Sequence, residues 1–256
     1  MLKIASWNVN SLKIRLPQVL DWLAKEAPDF LALQETKVTD EVFPEEAICQ
    51  AGYQVVFRGQ KTYNGVALLS KQPVTEVESN LPTFADTQQR LLAATYGSLR
   101  LLNLYVPNGA VIGSEKYQYK LNWFHALQLY LKDQLLKYEQ VIVLGDFNIA
   151  PDDRDVHDPK AWEGSVLVSP PEREALQNLL KLGLVDSFRL FAQGPELYSW
   201  WDYRAASFQR NRGLRIDLIL ISKNLVKYCR SSQIDKIPRN SERPSDHTPV
   251  MAVLEI

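Results

Sequence analysis

"QVIVLGDFNIAP", residues 140 to 151, is an apolar stretch that ends in polar groups. The run from Val141 to Leu144 is typical of a strand that is buried on both faces. Gly145, which has no side chain, follows this run. Asp146 and Asn148 come next, two residues apart. In an extended chain this spacing places both polar side chains on one side of the strand. The stretch therefore predicts a buried strand that carries a carboxylate and an amide at its end.

Polar residues stand at the ends of, or inside, apolar runs at five further places. Each one alone is more typical of a turn, because Asn and Asp side chains bond nearby backbone groups. Glu35 and Asp217 fit a turn less well, since a carboxylate among apolar residues is costly to bury without a partner. Six such places together predict a site where strand ends converge. The five are "KIASWNVN" (Asn8, Asn10), "FLALQETK" (Gln34, Glu35), "LLNLYVPNG" (Tyr105, Asn108), "GLRIDLILIS" (Asp217) and "RPSDHTPV" (Asp246, His247).

The residue types at these places restrict the chemistry of the predicted site. Carboxylate and amide oxygens are ligands suited to Mg²⁺ or Mn²⁺, and such an ion commonly acts on phosphate. Asp217 next to a histidine can fix the tautomer of that ring. The chain contains no GxSxG motif and no Walker loop. The residues therefore predict metal-assisted hydrolysis of a phosphoester.

Short apolar strands alternate with amphipathic helices along the whole chain, and no linker or repeat divides it. The apolar spacing predicts one helix from about Ser114 to Tyr138. A second helix begins after the N-cap Ser169, which can form a capping box with Glu172. Strands that are apolar on both faces predict sheets that are covered on both sides. We therefore expect a single α/β domain over residues 1–256, built as a layered sandwich.

The composition excludes several classes of protein. With 256 residues, 46% hydrophobic and 23% charged, the chain is typical of a globular protein rather than a disordered or fibrous one. No apolar run approaches the length of a membrane-spanning helix. The two cysteines, Cys49 and Cys229, indicate neither a disulfide framework nor a zinc site. Residues 1–10 lack the pattern of a signal peptide, so we expect a cytoplasmic protein without membrane association.

The charge of the chain is unevenly distributed. The net charge is −1, yet residues 200–243 contain ten Lys or Arg and four Asp or Glu, which gives this segment +6 and the rest of the chain −7. A locally basic segment is compatible with a polyanionic partner. It is equally compatible with a solvated surface that binds nothing.

A further set of motifs carries a family resemblance. "SWNVNSLK", "PDFLALQETK", "NGVALLSK", "LNLYVPNG", "VLGDFNIAP", "SPPEREAL", "LVDSFR", "YSWWDYR", "NRGLRIDLILIS" and "PSDHTPV" occur in this order and span the chain. In these motifs the sequence resembles the exonuclease III-type abasic-site endonucleases of the endonuclease/exonuclease/phosphatase superfamily. "SDH" or "GDFN" alone is weakly specific, whereas "SWWDYR" with "NRGLRID" is specific to this branch.

The resemblance implies a fold, an activity and a partner. The fold is a four-layer α/β sandwich, in which two mainly antiparallel sheets pack together with helices outside. The activity is Mg²⁺-dependent cleavage on the 5′ side of an abasic site, with Mn²⁺ as the alternative ion, together with 3′→5′ exonuclease and 3′-end-cleaning activity. The partner is double-stranded DNA that is abasic or has damaged 3′ ends, and we expect a monomer.

The resemblance also implies a role for individual residues. It implies that Asp146 activates the attacking water or protonates the leaving group. It also implies that His247, oriented by Asp217, contacts the phosphate. The remaining catalytic positions are Asn148 and Tyr105. The implied metal ligands are Glu35, Asn8, Asn10 and Asp246. The implied contacts to phosphate or DNA are Asn108, Arg90, Lys116 and Lys120. The implied pocket for an extrahelical abasic sugar is formed by Trp200, Leu214 and Ile216.

Two alternatives to a DNA repair nuclease stay open at this point. A superfamily hydrolase of inositol phosphates or phospholipid head groups would share the metal and the "SDH" motif, but it would not need "SWWDYR" and "NRGLRID". A nucleic-acid binding protein without activity would not need a competent residue at each catalytic position, and the chain has one at each. Residues 152–170 depart from the family in content, which leaves the balance of endonuclease and exonuclease activity open.

Overall fold

The computed structural model describes all 256 residues, Met1–Ile256. None of its helices combines the length and the apolar character needed to cross a membrane. The twelve strands are β1 Leu2–Asn8, β2 Phe30–Gln34, β3 Gln54–Arg58, β4 Val66–Ser70, β5 Thr75–Glu78, β6 Leu91–Tyr96, β7 Leu99–Tyr105, β8 Gln140–Asp146, β9 Leu184–Asp186, β10 Asp217–Ser222, β11 Cys229–Ile234 and β12 Val250–Leu254. The five α-helices are α1 Leu12–Glu26, α2 Glu45–Gln50, α3 Glu115–Lys137, α4 Pro159–Trp162 and α5 Pro170–Lys181.

The strands form two sheets of six strands each. The first sheet has the order β11-β12-β1-β2-β4-β3, and the second has the order β5-β6-β7-β8-β10-β9. Each sheet contains a single parallel pair, β1 with β2 in the first and β7 with β8 in the second. All other neighbouring strands are antiparallel. The predicted fold, two mainly antiparallel sheets flanked by helices, is confirmed.

Three apolar clusters separate the layers of the molecule. One cluster of 20 buried residues lies between the sheets and includes Ile4, Leu101 and Ile142. A cluster of 21 residues joins the outer face of the second sheet to helices α3 and α5. A cluster of 16 residues joins the outer face of the first sheet to helices α1 and α2. Because both faces of the inner strands are covered, these strands are buried and mainly apolar, as in "VIVL".

The predicted helices and the capping box agree with the structure. Helix α3 begins after the N-cap Ser114, whose side chain accepts a hydrogen bond from the backbone of Tyr117. Helix α5 begins after Ser169, which forms the predicted capping box with Glu172. The stretch "LRIDLILIS" is one apolar run in the sequence, but only its second part is a strand, because β10 begins at Asp217. The residues before it leave the sheet, and Leu214 forms isolated bridges to Val156 and Trp200 instead.

The strand directions bring the polar strand ends to one edge of the sandwich. Because β1 runs parallel to β2 and β7 parallel to β8, their carboxyl ends lie side by side in each sheet. Strands β10 and β12 run antiparallel to β8 and β1, so their amino ends lie at that same edge. Gly145 allows the close approach of β7 to β8, because a Cβ atom there would lie 1.9 Å from the carbonyl oxygen of Leu104. The predicted convergence of strand ends thus follows from the topology.

Candidate active site

Two carboxylates face each other across neighbouring strands at this edge. Asp146 ends β8, and Asp217, the first residue of β10, lies directly opposite it in the antiparallel register. Both side chains are buried. Like charges directly opposite on neighbouring strands repel each other, so the pair requires a proton or a cation nearby.

His247 lies between these two carboxylates and is itself buried. Its Nδ1 is 2.8 Å from Oδ2 of Asp217, and its Nε2 is 3.6 Å from Oδ2 of Asp146. Burial opposes a charged ring, but the carboxylates of Asp217 and Asp146 outweigh it and raise the pKa of His247 to about 10. The geometry therefore favours an imidazolium whose Nε2 side faces the centre of the site. Asp217 is fixed in turn, because Oγ of Ser199 accepts hydrogen bonds from the backbone N–H groups of Ile216 and Asp217.

Asp146 accepts hydrogen bonds from two amide side chains and one backbone N–H. Asn8 donates through Nδ2 at 2.9 Å, and Asn148 donates through its backbone N–H at 2.9 Å and through Nδ2 at 3.2 Å. Burial raises the pKa of Asp146 to about 7; the charge of His247 opposes this rise, and Asp217 adds to it. A carboxyl group with a pKa near neutrality can both accept and release a proton at physiological pH.

Glu35 follows β2 and lies beside Asp146 through a shared partner. Nδ2 of Asn8 donates to Oε1 of Glu35 at 2.8 Å as well as to Asp146. Nζ of Lys37 lies 2.8 Å from Oε2 of Glu35 and 2.5 Å from Oδ1 of Asn10. Lys37 is thus a contact of the site that the sequence reasoning did not single out, although it stands two residues after Glu35 in "QETK".

The other residues predicted as metal ligands have specific partners. Oδ1 of Asn8 accepts from the backbone N–H of Asn10, which fixes the amide with its NH₂ group toward the carboxylates. Asp246 accepts from Nδ2 of Asn10 at 2.9 Å and from Nε1 of Trp200 at 3.0 Å. In this arrangement the side-chain NH₂ group of Asn8 points toward the site. Both carboxylate oxygens of Asp246 already accept hydrogen bonds from protein groups.

The donor set suits a divalent cation. One ligand atom each of Glu35, Asp146 and His247 lies within 4.8 Å of the other two. Carboxylate oxygens are the ligands that Mg²⁺ and Mn²⁺ prefer. Three acidic groups, Glu35, Asp146 and Asp217, lie beside only one lysine and one histidine. A bound cation would therefore balance the excess negative charge. The residues present therefore fit a divalent ion, with Glu35 as the group that would hold it beside Asp146.

Several residues of the site have strained backbone conformations. Asn10, Glu35, Lys37 and Asn148 all have positive φ angles, of 43°, 52°, 55° and 48°. Left-handed conformations in residues other than glycine are uncommon and cluster at functional sites. Here each one lies within three residues of the end of a strand, where the chain turns beside the polar groups of the site.

An open cleft leads from Glu35 along one side of the site. It has a volume of about 540 Å³, and its lining includes Arg90, Tyr105, Asn108 and Lys116, with Gln60, Tyr63, Asn64, Gln88 and Tyr119 further along. The guanidinium of Arg90 lies 4.7 Å from the ring centre of Tyr105, and Asn108 donates to Oδ1 of Asn148 at 3.1 Å. Burial, and then the charges of Glu35 and Asp146, raise the pKa of Tyr105 well above its ordinary value, so the phenol remains a hydrogen-bond donor.

Lys120 does not belong to this exposed lining, and its predicted contact with the DNA backbone is wrong. The side chain is fully buried, and its Nζ is bonded to the carbonyl oxygens of Asn108 and Asn148 and to Glu172. The sequence carried a signal for this burial. Lys120 stands between Tyr117 and Phe124 at the three- and four-residue spacing of the buried helix face.

An apolar cluster borders the other side of the site. Its buried members are Ala150, Val156, Leu214 and Ile216, and Trp162, Val168 and Trp200 are partly buried against them. The rings of Trp162 and Trp200 meet edge to face with their centres 6.3 Å apart. Trp200, Leu214 and Ile216 thus lie together in this cluster. Trp162 and Val168 belong to residues 152–170, which therefore contribute to the same cluster.

The basic segment 200–243 does not form one continuous face. Arg215 and Arg239 are buried within the protein. Lys223 and Lys227 border a groove with Glu139 and Gln140, at the start of β8 and so at the end of the sheet opposite the site. The net charge of this segment therefore says less about a polyanionic partner than the cleft lining does.

Comparison with known proteins identifies relatives over the whole chain. The profile of the Endonuclease/Exonuclease/phosphatase family matches residues 5–247. The chain is 39% identical to "Exodeoxyribonuclease III" of Haemophilus influenzae, covering 98% of this chain and 99% of that protein. It is 33% identical to "Exodeoxyribonuclease" of Bacillus subtilis over the full length of both.

Solved structures show the same similarity in three dimensions. A 3′ phosphatase, NExo, from Neisseria, solved with a product DNA hairpin, superposes with a TM-score of 0.98 at 44% identity and full coverage of both chains. An AP endonuclease from Archaeoglobus fulgidus superposes with a TM-score of 0.96 at 39% identity, also over the full length of both chains.

Proposed function

The chain belongs to the Endonuclease/Exonuclease/phosphatase family and is a DNA repair nuclease, and we propose that it uses Mg²⁺ to hydrolyse phosphodiesters of duplex DNA at abasic sites and at 3′ ends. The observation that carries this proposal is the grouping of Glu35, Asp146 and His247, whose ligand atoms lie within 4.8 Å of one another between a cationic cleft and an apolar cluster. The similar proteins named above include an exodeoxyribonuclease III and a 3′ phosphatase, which act at 3′ ends, and an AP endonuclease.

Asp146 is the proton carrier in the proposed mechanism. Its pKa of about 7 allows the carboxylate to take a proton from the attacking water and, once protonated, to supply one to the leaving oxygen. The bonds from Asn8 and Asn148 hold its two oxygens in place while the proton moves. A bound divalent cation supplies polarisation of the phosphate and neutralises the charge that develops on it.

His247 and the cleft residues bind the phosphate group in this proposal. The imidazolium of His247 presents Nε2 to the centre of the site as a charged donor, and Asp217 holds the ring from the other nitrogen. Charge-assisted donors of this kind stabilise a transition state whose charge spreads over phosphate oxygens. Tyr105 and Asn108 add neutral donors, and Arg90 and Lys116 add positive charge along the cleft.

The apolar cluster supports the abasic half of the proposal. A deoxyribose that carries no base would pack at Trp200, Leu214 and Ile216, because these side chains offer few hydrogen-bond partners to the edge of a base. We further propose that the protein acts as a cytoplasmic monomer. The unpaired cysteines, of which Cys49 is exposed and Cys229 buried, are compatible with a reducing compartment.

The test is a parallel assay of four substrates with the purified protein. They are a duplex with one tetrahydrofuran abasic analogue, a nicked duplex, a duplex with a 3′-phosphate, and an inositol phosphate. We expect incision or 3′ processing of the duplexes with Mg²⁺ and its complete loss in EDTA. An intact tetrahydrofuran duplex with processed 3′ ends would remove the abasic half of the proposal. Release of phosphate from the inositol phosphate alone would overturn it.

A further inference from the structure

Lys120 is a fully buried cation directly beneath the candidate active site. Its Nζ donates to the carbonyl oxygens of Asn148 at 2.7 Å and of Asn108 at 3.1 Å, and it lies 2.5 Å from Oε1 of Glu172. Glu172 is also fully buried. An ammonium group has three donors, and here each donor meets one acceptor, so the position of Nζ is fixed from three directions.

Glu172 extends the same network to the residues on either side of Val168, which belongs to the apolar cluster. Its two carboxylate oxygens accept from the backbone N–H groups of Leu167 and Ser169 and from the hydroxyl of Ser169. The carbonyl of Leu167 in turn accepts from the backbone N–H of Ala150 at 2.8 Å. Leu167 has a positive φ of 73°, a conformation that leucine rarely adopts without support from its surroundings.

This network connects two parts of the site that must act together, namely the residues beside Asp146 and the apolar cluster. Asn148 is bonded to Asp146, and Asn108 lines the cleft and bonds to Asn148. Val168, between the two residues held by Glu172, packs against the apolar cluster that borders the site. The ion pair therefore connects Asn148, which positions the proton carrier, to Val168 in this cluster.

Stability alone gives a weak reason for an ion pair at this place. The cost of removing two charges from water often cancels their attraction, and apolar residues of similar size can replace such a pair at little or no cost. Precise placement gives a stronger reason, because a displacement of about 1 Å at a reacting group can reduce a rate by about 100-fold.

We propose that Lys120 and Glu172 form a positioning pair that holds Asn148 and Asn108 at a fixed distance from Val168 in the apolar cluster. Neither residue touches DNA, and the pair acts through the groups that it holds. This inference rests on the proposed function, since it assigns the pair a part in the same site.

The first test is the variant Lys120→Met, which keeps the length of the side chain and removes its charge. We expect kcat on the substrate that wild type processes best to fall by about 100-fold with KM for the DNA nearly unchanged. The matched control is Arg100→Met. Arg100 is also fully buried and paired with a glutamate, Glu78, but it lies five residues from the site end of β7, about 16 Å away at 3.3 Å per residue.

The second variant separates positioning from stability. Lys120→Met with Glu172→Gln leaves no unpaired charge, so we expect most of the lost stability to return while kcat stays low, because the carbonyls of Asn148 and Asn108 still lack the ammonium donor. This double variant also carries the test if Lys120→Met alone does not fold. Recovery of wild-type kcat in the double variant, or equal losses of kcat in Lys120→Met and Arg100→Met, would overturn the inference. An inactive wild-type protein would instead contradict the proposed function.

Discussion

Two buried clusters of charged side chains lie on either side of the first residues of β10. The active cluster consists of Glu35, Asp146, Asp217 and His247. The ion-paired cluster consists of Asp155, Asp186, Arg189 and Arg215. In the second cluster Nε of Arg215 lies 2.6 Å from Oδ1 of Asp155 and its Nη2 lies 2.8 Å from Asp186, while Arg189 pairs with the same oxygen of Asp155. Arg215 and Asp217 are only two residues apart in the chain.

The clusters differ in charge balance and in whether their protons can move. The ion-paired cluster contains two carboxylates and two guanidinium groups, which stay charged at any physiological pH. The active cluster contains three carboxylates with one imidazole and the nearby Lys37, and the pKa of Asp146 in it is about 7. We infer that the first cluster holds the loops around the site in place, whereas the second can exchange protons and attract a cation.

The largest expected effect comes from Asp146→Asn in the active cluster. The amide has nearly the same shape but cannot take or release a proton. We expect turnover to fall by about 10⁴-fold, the upper end of what general acid–base catalysis contributes, while DNA affinity stays close to that of wild type. Single-turnover cleavage and equilibrium binding of the same duplex measure the two quantities.

The counterpart in the ion-paired cluster is Asp155→Asn. Asp155 is as deeply buried as Asp146, so this variant controls for the loss of a buried carboxylate as such. We expect it to lower the unfolding midpoint and leave the turnover of the folded protein unchanged. An equal loss of turnover and DNA affinity in Asp146→Asn would instead make Asp146 a structural residue like Asp155.

The next largest effect is on stability, from Arg215→Met. Removal of this guanidinium leaves Asp186 and part of Asp155 buried without a cation, and it ends the contact with the ring of Phe188 at 4.8 Å. Breaking a buried pair in this way costs about 3 to 5 kcal/mol. Urea unfolding should show this loss, and turnover measured well below the unfolding transition should match that of wild type. A specific loss of turnover would mean that the two clusters are coupled.

The sequence predicted the active cluster better than the ion-paired one, for a physical reason. Asp146 and His247 stand beside the ends of apolar runs, which periodicity locates, and Asp217 stood out because a carboxylate within an apolar run needs a partner. Arg215 and Asp155 are 60 residues apart in the chain. They lie in two irregular segments, whose path cannot be predicted from the periodicity of apolar residues. The partner of a buried charge depends on such tertiary contacts, which is why the burial of Lys120 was missed although its helical spacing indicated it.

A smaller effect on turnover is expected from Asp217→Asn. Asp217 holds His247 from behind but does not face the centre of the site, so its loss disturbs the orientation of the ring rather than the proton carrier. Removal of such a supporting hydrogen bond typically reduces activity by about 10- to 100-fold. Steady-state kinetics should show a loss well below that of Asp146→Asn. A loss as large as that of Asp146→Asn would mean that Asp217 takes part directly in the chemistry.

The pH dependence of Asp217→Asn provides a second measurement on the same variant. The pKa of His247 is raised from 6.5 to about 10, in part by Asp217. A group with a raised pKa stabilises the folded protein below its unfolded pKa and loses that contribution as the pH rises through the folded value. In EDTA we therefore expect wild type to lose stability between pH 6.5 and about 10, and the variant to lose less. The turnover of Asp217→Asn should also begin to decline at a lower alkaline pH than the turnover of wild type.

The smallest effect is expected from Arg189→Met, at the rim of the ion-paired cluster. The side chain of Arg189 is 27% exposed, so water screens its attraction to Asp155, and Arg215 still pairs with that carboxylate after the change. Partly exposed pairs of this kind contribute about 1 kcal/mol or less. Urea unfolding should therefore show a loss several times smaller than that of Arg215→Met, with unchanged turnover. A loss as large as that of Arg215→Met would show that the cluster acts as one cooperative unit, in which no single guanidinium suffices to keep Asp155 charged and buried.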